Sequence, residues 1–183
     1  MTIPSSSDPA RPEVPHADER ASDPAILDAS IAAGFEVRVQ QQPIDIQSEI
    51  MPITRNPNVG AIVNFLGVVR HSGDFDDVVA LELEHYPGMT EQSFSSIVEE
   101  AIARWRLEAV KIVHRVGRVA LGDAVVLVVV AAPHRGAAFD ACEFLMDFLK
   151  AHAPLWKKEI RRDGALRWVE AKAGDERSML RWG

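Results

Sequence analysis

His134-Arg-Gly-Ala-Ala-Phe-Asp-Ala-Cys-Glu-Phe-Leu-Met-Asp-Phe-Leu-Lys-Ala-His-Ala-Pro-Leu-Trp-Lys-Lys-Glu159 reads as one apolar helix with cationic groups at both ends. His134 and Arg135 open it, Lys150 sits in its last turn, and Lys157 and Lys158 follow Pro154. A helix dipole favours cations at its C-terminal end and disfavours them at its N-terminal end. Lys150 is therefore accounted for as a C-terminal cation, whereas Arg135 is not. A cation placed against the local dipole points to an anion, held together with the free N–H groups of the first turn.

Working outward, the chain of 183 residues is long enough for one domain with a substantial core, or one domain plus a tail. Its 47% hydrophobic and 26% charged content is that of an ordinary globular protein. A net charge of −7 argues against a general nucleic-acid binder, which needs a positive field to displace counterions. The single cysteine, Cys142, excludes an internal disulfide and any multi-cysteine metal site, and fits a reducing cytoplasm. The longest apolar run, Ala124–Pro133, is too short to span a bilayer, and no basic-then-apolar secretory signal opens the chain. Residues 1–34 alternate proline with Ser, Asp, Glu and Ala and contain no aromatic residue, so they are read as a disordered acidic tail with room for one helical turn at Pro24–Ala33. Residues 35–183 are read as a single domain.

In that domain, Phe35-Glu-Val-Arg-Val-Gln40 alternates as a half-buried strand. A linker or short helix over Ile44–Arg55 leads to strands at Gly60–Arg70 and Val78–Tyr86. Thr90 is the expected cap of a helix whose Phe94, Ile97, Val98, Ala101, Ile102 and Trp105 repeat at three–four spacing. Val110–Val119 and Asp123–Ala132 read as two strands joined tightly at Leu121-Gly122, the second so rich in valine that it belongs at the centre of a sheet covered on both faces. After the helix over 134–152, Trp156–Arg162 and Leu166–Lys172 flank Asp163-Gly164, a hairpin signal. The order predicts an α+β fold: a mostly antiparallel, hammerhead-like sheet, two main helices and a small C-terminal β-hairpin.

Several chemistries are absent. No phosphate-loop, dinucleotide-binding or nucleophile-elbow pattern occurs, and the six histidines lack metal-ligand spacing, so neither a cofactor nor a metal is expected. Cys142, inside an apolar helix, reads as an inert small hydrophobe. What remains is a set of cations: Arg70 ending a strand, His134-Arg135 opening a helix, and Lys150, Lys157, Lys158 and Lys172 around its exit. Each alone has an ordinary reading as a strand-end arginine, a cap or a solvated face. Strand alternation forbids Lys157 and Lys158 from entering one pocket; Lys157 is the expected inner residue, with Glu159 beside it.

Five blocks in order then give a resemblance. Gly60-Ala-Ile-Val-Asn-Phe-Leu-Gly-Val-Val-Arg70, Leu83-Glu-His-Tyr-Pro-Gly-Met-Thr-Glu91, His114-Arg-Val-Gly117, His134-Arg-Gly-Ala-Ala-Phe139, and Ala153-Pro-Leu-Trp-Lys-Lys-Glu159 with Arg167-Trp-Val-Glu-Ala171 resemble the catalytic (large) subunit family of molybdopterin synthase. The resemblance spans about Phe35 to Lys172. It implies conversion of cyclic pyranopterin monophosphate (precursor Z) to molybdopterin, a step of molybdenum cofactor biosynthesis. Two sulfurs would arrive on the thiocarboxylated C-terminal glycine of a small ubiquitin-like subunit. It further implies a homodimer at the core of a heterotetramer, in the cytoplasm, with no membrane partner.

By the same resemblance, substrate binding falls to Val68, Val69, Arg70, His134, Arg135, Lys150, Lys157, Lys158 and Glu159, and catalysis to Lys150 and Lys157. Val68 stands where relatives often carry a polar or basic residue, and Lys172 where they often carry arginine. Arg70, Arg135, Lys150 and Lys157 are expected around one cleft, completed by the two-fold assembly. The alternative from another class is a non-catalytic module that grips a ubiquitin-like tail. Removal of residues 1–30 is expected to leave turnover intact in an assay of the assembled enzyme; a large loss would show that the tail takes part.

Overall fold

The strand Ala124–Ala132, nine residues without one polar side chain, must be covered on both faces, and the rest of the fold does so. The computed structural model describes residues 34–71, 77–169 and 180–182. The expected tail over residues 1–34 and the site candidate Lys172 therefore fall, except for Gly34, outside the described residues.

Among these, the elements are β1 (Phe35–Gln40), α1 (Ile46–Ile50), β2 (Ala61–Val68), β3 (Val78–His85), α2 (Met89–Arg104), β4 (Ala109–Arg115), β5 (Gly117–Ala120), β6 (Ala124–Ala132), α3 (Arg135–His152), β7 (Leu155–Arg161) and β8 (Leu166–Val169), with a 3₁₀ turn at Ile53–Arg55. They form two four-stranded sheets, ordered β1-β4-β6-β2 and β5-β3-β7-β8. All described pairings are antiparallel except β1 with β4.

Alternation along β4 and β6 decides which layer covers each side chain. Val110 and Ile112 with Val126, Val128, Val130 and Ala132 face Phe94, Ile97, Val98 and Ala101 of α2 and Ala138, Ala141, Cys142, Phe144 and Leu145 of α3. Their neighbours Val113, Leu127, Val129 and Ala131 face Ile53 and the apolar side of α1. Covering both faces accounts for the unbroken apolar run, as the valine content predicts. Burial of Glu49 on α1 is matched by ion pairs to Arg38 on β1 and Lys111 on β4, which pin that short helix to the sheet. At the other side of the core, Trp182 packs against Trp105 and Phe144 and donates from Nε1 to Asp147 at 2.8 Å, clasping the chain end across α2 and α3.

The structure corrects three expectations. The run Val110–Val119 is two strands in different sheets, because Gly117 at φ +71° turns the chain out of the first sheet and into the second. Accordingly the strand after Leu121-Gly122 pairs with β4, and β5 pairs with β3. The mostly antiparallel α+β fold stands, with its strands divided between two sheets. The cap of α2 is Gly88, whose N–H donates to the Glu91 carboxylate at 2.7 Å. Thr90, the expected cap, is buried, its hydroxyl 3.2 Å from the carbonyls of Tyr86 and Pro154. It ties the start of α2 to the exit of α3.

Gly117→Ala places an L side chain at positive φ, which costs about 1–2 kcal/mol. The melting temperature is expected to fall by about 2–4 °C per kcal/mol for a chain of this size. An unchanged midpoint would show that the pivot does not need glycine.

Candidate active site

Helix α3 delivers Lys150 to its last turn, where the dipole favours a cation, and the chain leaves the helix through Ala153 and Pro154 into β7. Because β7 alternates, Lys157 and Glu159 point to one side and Lys158 to the other. On the first side lies a cavity of about 580 Å³ at the seam of the two sheets and the C-terminal end of α3. Val68, Val69, Arg70, Lys150, Lys157 and Glu159 line it, with Leu83, Leu149 and Leu155 among its apolar walls.

The Val68–Arg70 segment is aimed by a register shift between Gly67 and Val68, where β2 bulges against β6. Gly67 permits the close approach: a Cβ there would lie 2.7 Å from Cγ1 of Val126. Beyond the bulge, Val69 donates to Asp123 O at 3.0 Å and accepts from Gly122 N at 2.8 Å. Val69 is buried, while Val68 and Arg70 are exposed at the rim. Glu159 is buried at 4% exposure, two residues from Lys157 on the same strand face, where its charge offsets part of the cationic field.

Three of the expected residues lie elsewhere. Lys158 is on the opposite face of β7, paired with Glu84 at 2.5 Å and 4.1 Å above the Trp168 ring. The strand's alternation, which already separated it from Lys157, puts it there. His134 and Arg135 are exposed at the start of α3. Fifteen residues of helix separate Arg135 from Lys150, about 22 Å at 1.5 Å per residue. Within one chain, then, Arg70, Lys150 and Lys157 converge and Arg135 does not.

The structure adds a residue that the sequence reading left without a role. His114 lines the same cavity. It is buried at 8% exposure, tilted against Phe94 with ring centroids 6.1 Å apart, and its Nδ1 lies 2.8 Å from the carbonyl oxygen of Arg115. A carbonyl can only accept, so Nδ1 carries the hydrogen and Nε2 the lone pair. Burial holds the imidazole neutral, with its pKa lowered to about 4; the hydrogen bond to the Arg115 carbonyl opposes this and the nearby Lys150 ammonium adds to it. The signal in the sequence was parity. Val110, Ile112 and His114 share the face of β4 that the helices cover, and histidine is the polar member of that row. Among the described residues no group of three or more His, Cys, Asp or Glu gathers in a metal-binding arrangement. None of the described helices is long and apolar enough to cross a membrane.

A buried neutral histidine makes stability depend on acid. Above pH 6.5 the ring is uncharged in both folded and unfolded chains. Between pH 6.5 and about 4 the unfolded chain gains a proton that the folded chain refuses, so stability falls with pH by on the order of 3 kcal/mol from this group. Urea unfolding of His114→Gln is expected to lose less stability between pH 7 and 4.5 than the parent chain does. Parallel losses would show that His114 is not the acid-sensitive group.

Residues 39–152 match the MoaE protein family. The molybdopterin synthase catalytic subunit of Ralstonia nicotianae is 49% identical over 148 residues, covering 80% of this chain and 84% of that protein. The Escherichia coli catalytic subunit is 44% identical over 150 residues, covering 82% and 99%. Among solved structures, a molybdopterin biosynthesis MoaE protein from Burkholderia ambifaria superposes with a TM-score of 0.68 at 47% identity, covering 81% of this chain and 97% of that one. A molybdopterin synthase from Staphylococcus aureus gives 0.66 at 33% identity, covering 72% and 95%. With the same fold, near-complete coverage of these relatives and identities approaching one half, the chain belongs to the MoaE family of molybdopterin synthase catalytic subunits.

Proposed function

We propose that this chain is the catalytic subunit of a molybdopterin synthase, transferring two sulfurs to cyclic pyranopterin monophosphate from the thiocarboxylated tail of a small ubiquitin-like subunit. The observation that carries this reading is the convergence of Arg70, Lys150 and Lys157 on one cavity in a protein of net charge −7. Both reactants are anionic, one a cyclic phosphate and the other a thiocarboxylate. A cleft with apolar walls strengthens their attraction to fixed cations relative to water.

Arg70 suits the phosphate, since a guanidinium can bind it through two parallel hydrogen bonds. Lys150, in the last turn of α3, and Lys157, on β7, line the same cavity and suit the reacting end. One holds the thiocarboxylate or the oxyanion that develops on its carbon; the other assists proton transfer. Val68 borders the substrate at the exposed rim, buried Val69 anchors that segment through its hydrogen bonds to Asp123 and Gly122, and Glu159 orients Lys157. His134 and Arg135, about 22 Å from Lys150 along α3, contribute to the cavity of a second copy, so the active unit is a homodimer carrying one small subunit at each end. Residues 35–183 act as one catalytic domain in the cytoplasm, where the single cysteine stays reduced. A non-catalytic module gripping the same tail would have no use for a second cation beside the one that meets the tail's carboxylate.

The test is incubation of the purified chain with precursor Z and thiocarboxylated small subunit, with dithiolene formation followed by mass. Lys150→Ala and Lys157→Ala are each expected to slow turnover by about a hundredfold or more, the scale of losing one group that stabilises developing charge. Lys158→Ala, on the far face of β7, is expected to change it by less than about twofold, as surface substitutions do. Parent-like rates in both lysine variants would overturn the assignment.

A further inference from the structure

Among the described residues lining the cavity, His114 has a polar side chain that the proposed reaction has not used. We propose that His114 is a positioning residue, whose Nε2 accepts a hydrogen bond from the ammonium of Lys150 and holds that group at the inner end of the cavity. This inference rests on the sulfur-transfer reading and deepens it.

Four observations converge on it. His114 and Lys150 line the same cavity. The Arg115 carbonyl, 2.8 Å from Nδ1, fixes the tautomer, so the nitrogen left for the cavity is a pure acceptor. The ring cannot swing away, because it is buried and packed against Phe94 of α2. Lys150 is near enough for its charge to bear on His114. A lysine needs such a partner. Its four-carbon stem reaches the cavity from an exposed position on α3, and each free rotor that must be fixed during reaction costs entropy. A fixed acceptor removes that freedom beforehand.

The protonation state serves this role and excludes another. Among the described residues, the charged or titratable groups around His114 are Lys150 on α3, His85 on β3, Arg70 beyond β2, and Lys157 and Glu159 on β7 across the cavity. His85 in turn lies 3.9 Å from Glu91 at the start of α2. With its pKa near 4, His114 does not become a second cation beside Lys150 at neutral pH, so the acceptor is always present. The same low basicity makes it a poor proton carrier, which is why the structure assigns it to placement and not to acid–base chemistry.

The experiment compares His114→Gln, whose amide oxygen can reach the Nε2 position, with His114→Asn, whose shorter amide can still serve the Arg115 carbonyl but not the cavity. His114→Phe supplies the apolar counterpart. All three are assembled with the thiocarboxylated small subunit and assayed for dithiolene formation, with thermal unfolding measured alongside. The expected result is a kcat lowered by about tenfold to a hundredfold in the Asn and Phe variants, the scale of a misplaced catalytic group. KM for the pterin should be unchanged, and kcat largely restored in the Gln variant. Should the Phe variant fail to fold, the Asn–Gln pair decides. Equal kcat in Gln and Asn, whether both high or both low, would overturn the inference. Failure of the parent chain to form any dithiolene would instead bring down the sulfur-transfer reading itself.

Discussion

Everything else in this molecule follows from burying one side of α3. Ala138, Ala141, Phe144 and Leu145 are sealed against the even-numbered side chains of β4 and β6. Removing large side chains from such a contact costs several kcal/mol (Phe→Ala about 3–5), which is most of the margin of an ordinary domain. The helix therefore has one position and one rotation on the sheet. Its length then sets where its ends fall. Lys150 arrives at the seam between the sheets, and His134-Arg135 at the other end of the helix.

Placing the cations is the harder electrostatic problem. Arg70, Lys150 and Lys157 come from three separate elements, each fixed for reasons unrelated to charge: a bulge after β2, the last turn of α3, and the alternation of β7. Among the described residues, Glu159 is the one carboxylate that sits among them on the cavity wall. Three cations against one carboxylate leave the described cavity wall positive. Elsewhere, Glu36 and Glu49 are paired with Arg38 and Lys111 in the cluster that holds α1. A negative protein with one positive cleft discriminates by place, not by net charge.

Much of this was readable in the chain, and the exceptions have physical causes. The three–four spacing over Phe94–Trp105, the apolar run of β6 and the Asp163-Gly164 turn each carry a local signal, and each element formed where that signal puts it. Alternation alone separated Lys157 from Lys158. The pivot at Gly117 was hidden because a single glycine inside an apolar run is compatible with a continuous strand; nothing local states that φ becomes positive there. The division into two sheets follows from that pivot and was hidden with it. Thr90 looked like a cap because its type favours caps, but the partners that claimed its hydroxyl, Tyr86 and Pro154, include one 64 residues away. His114 escaped because histidine on a buried face is usually no more than a satisfied core residue, and only the cavity beside it gives it a task.

The covering of β6 has a consequence for the life of the chain outside its folded state. Ala-Val-Val-Leu-Val-Val-Val-Ala-Ala, from Ala124 to Ala132, has high strand propensity and contains no charge, no proline and no glycine. Segments of that kind stack into intermolecular cross-β ladders when their edges are free. In the native protein β4 and β2 occupy both edges and helices cover both faces. Newly made or heat-opened chains lack that shield until α3 docks, and α3 is complete only at His152, well after the strand has ended at Ala132. The speed with which α3 closes over the strand thus competes directly with self-association.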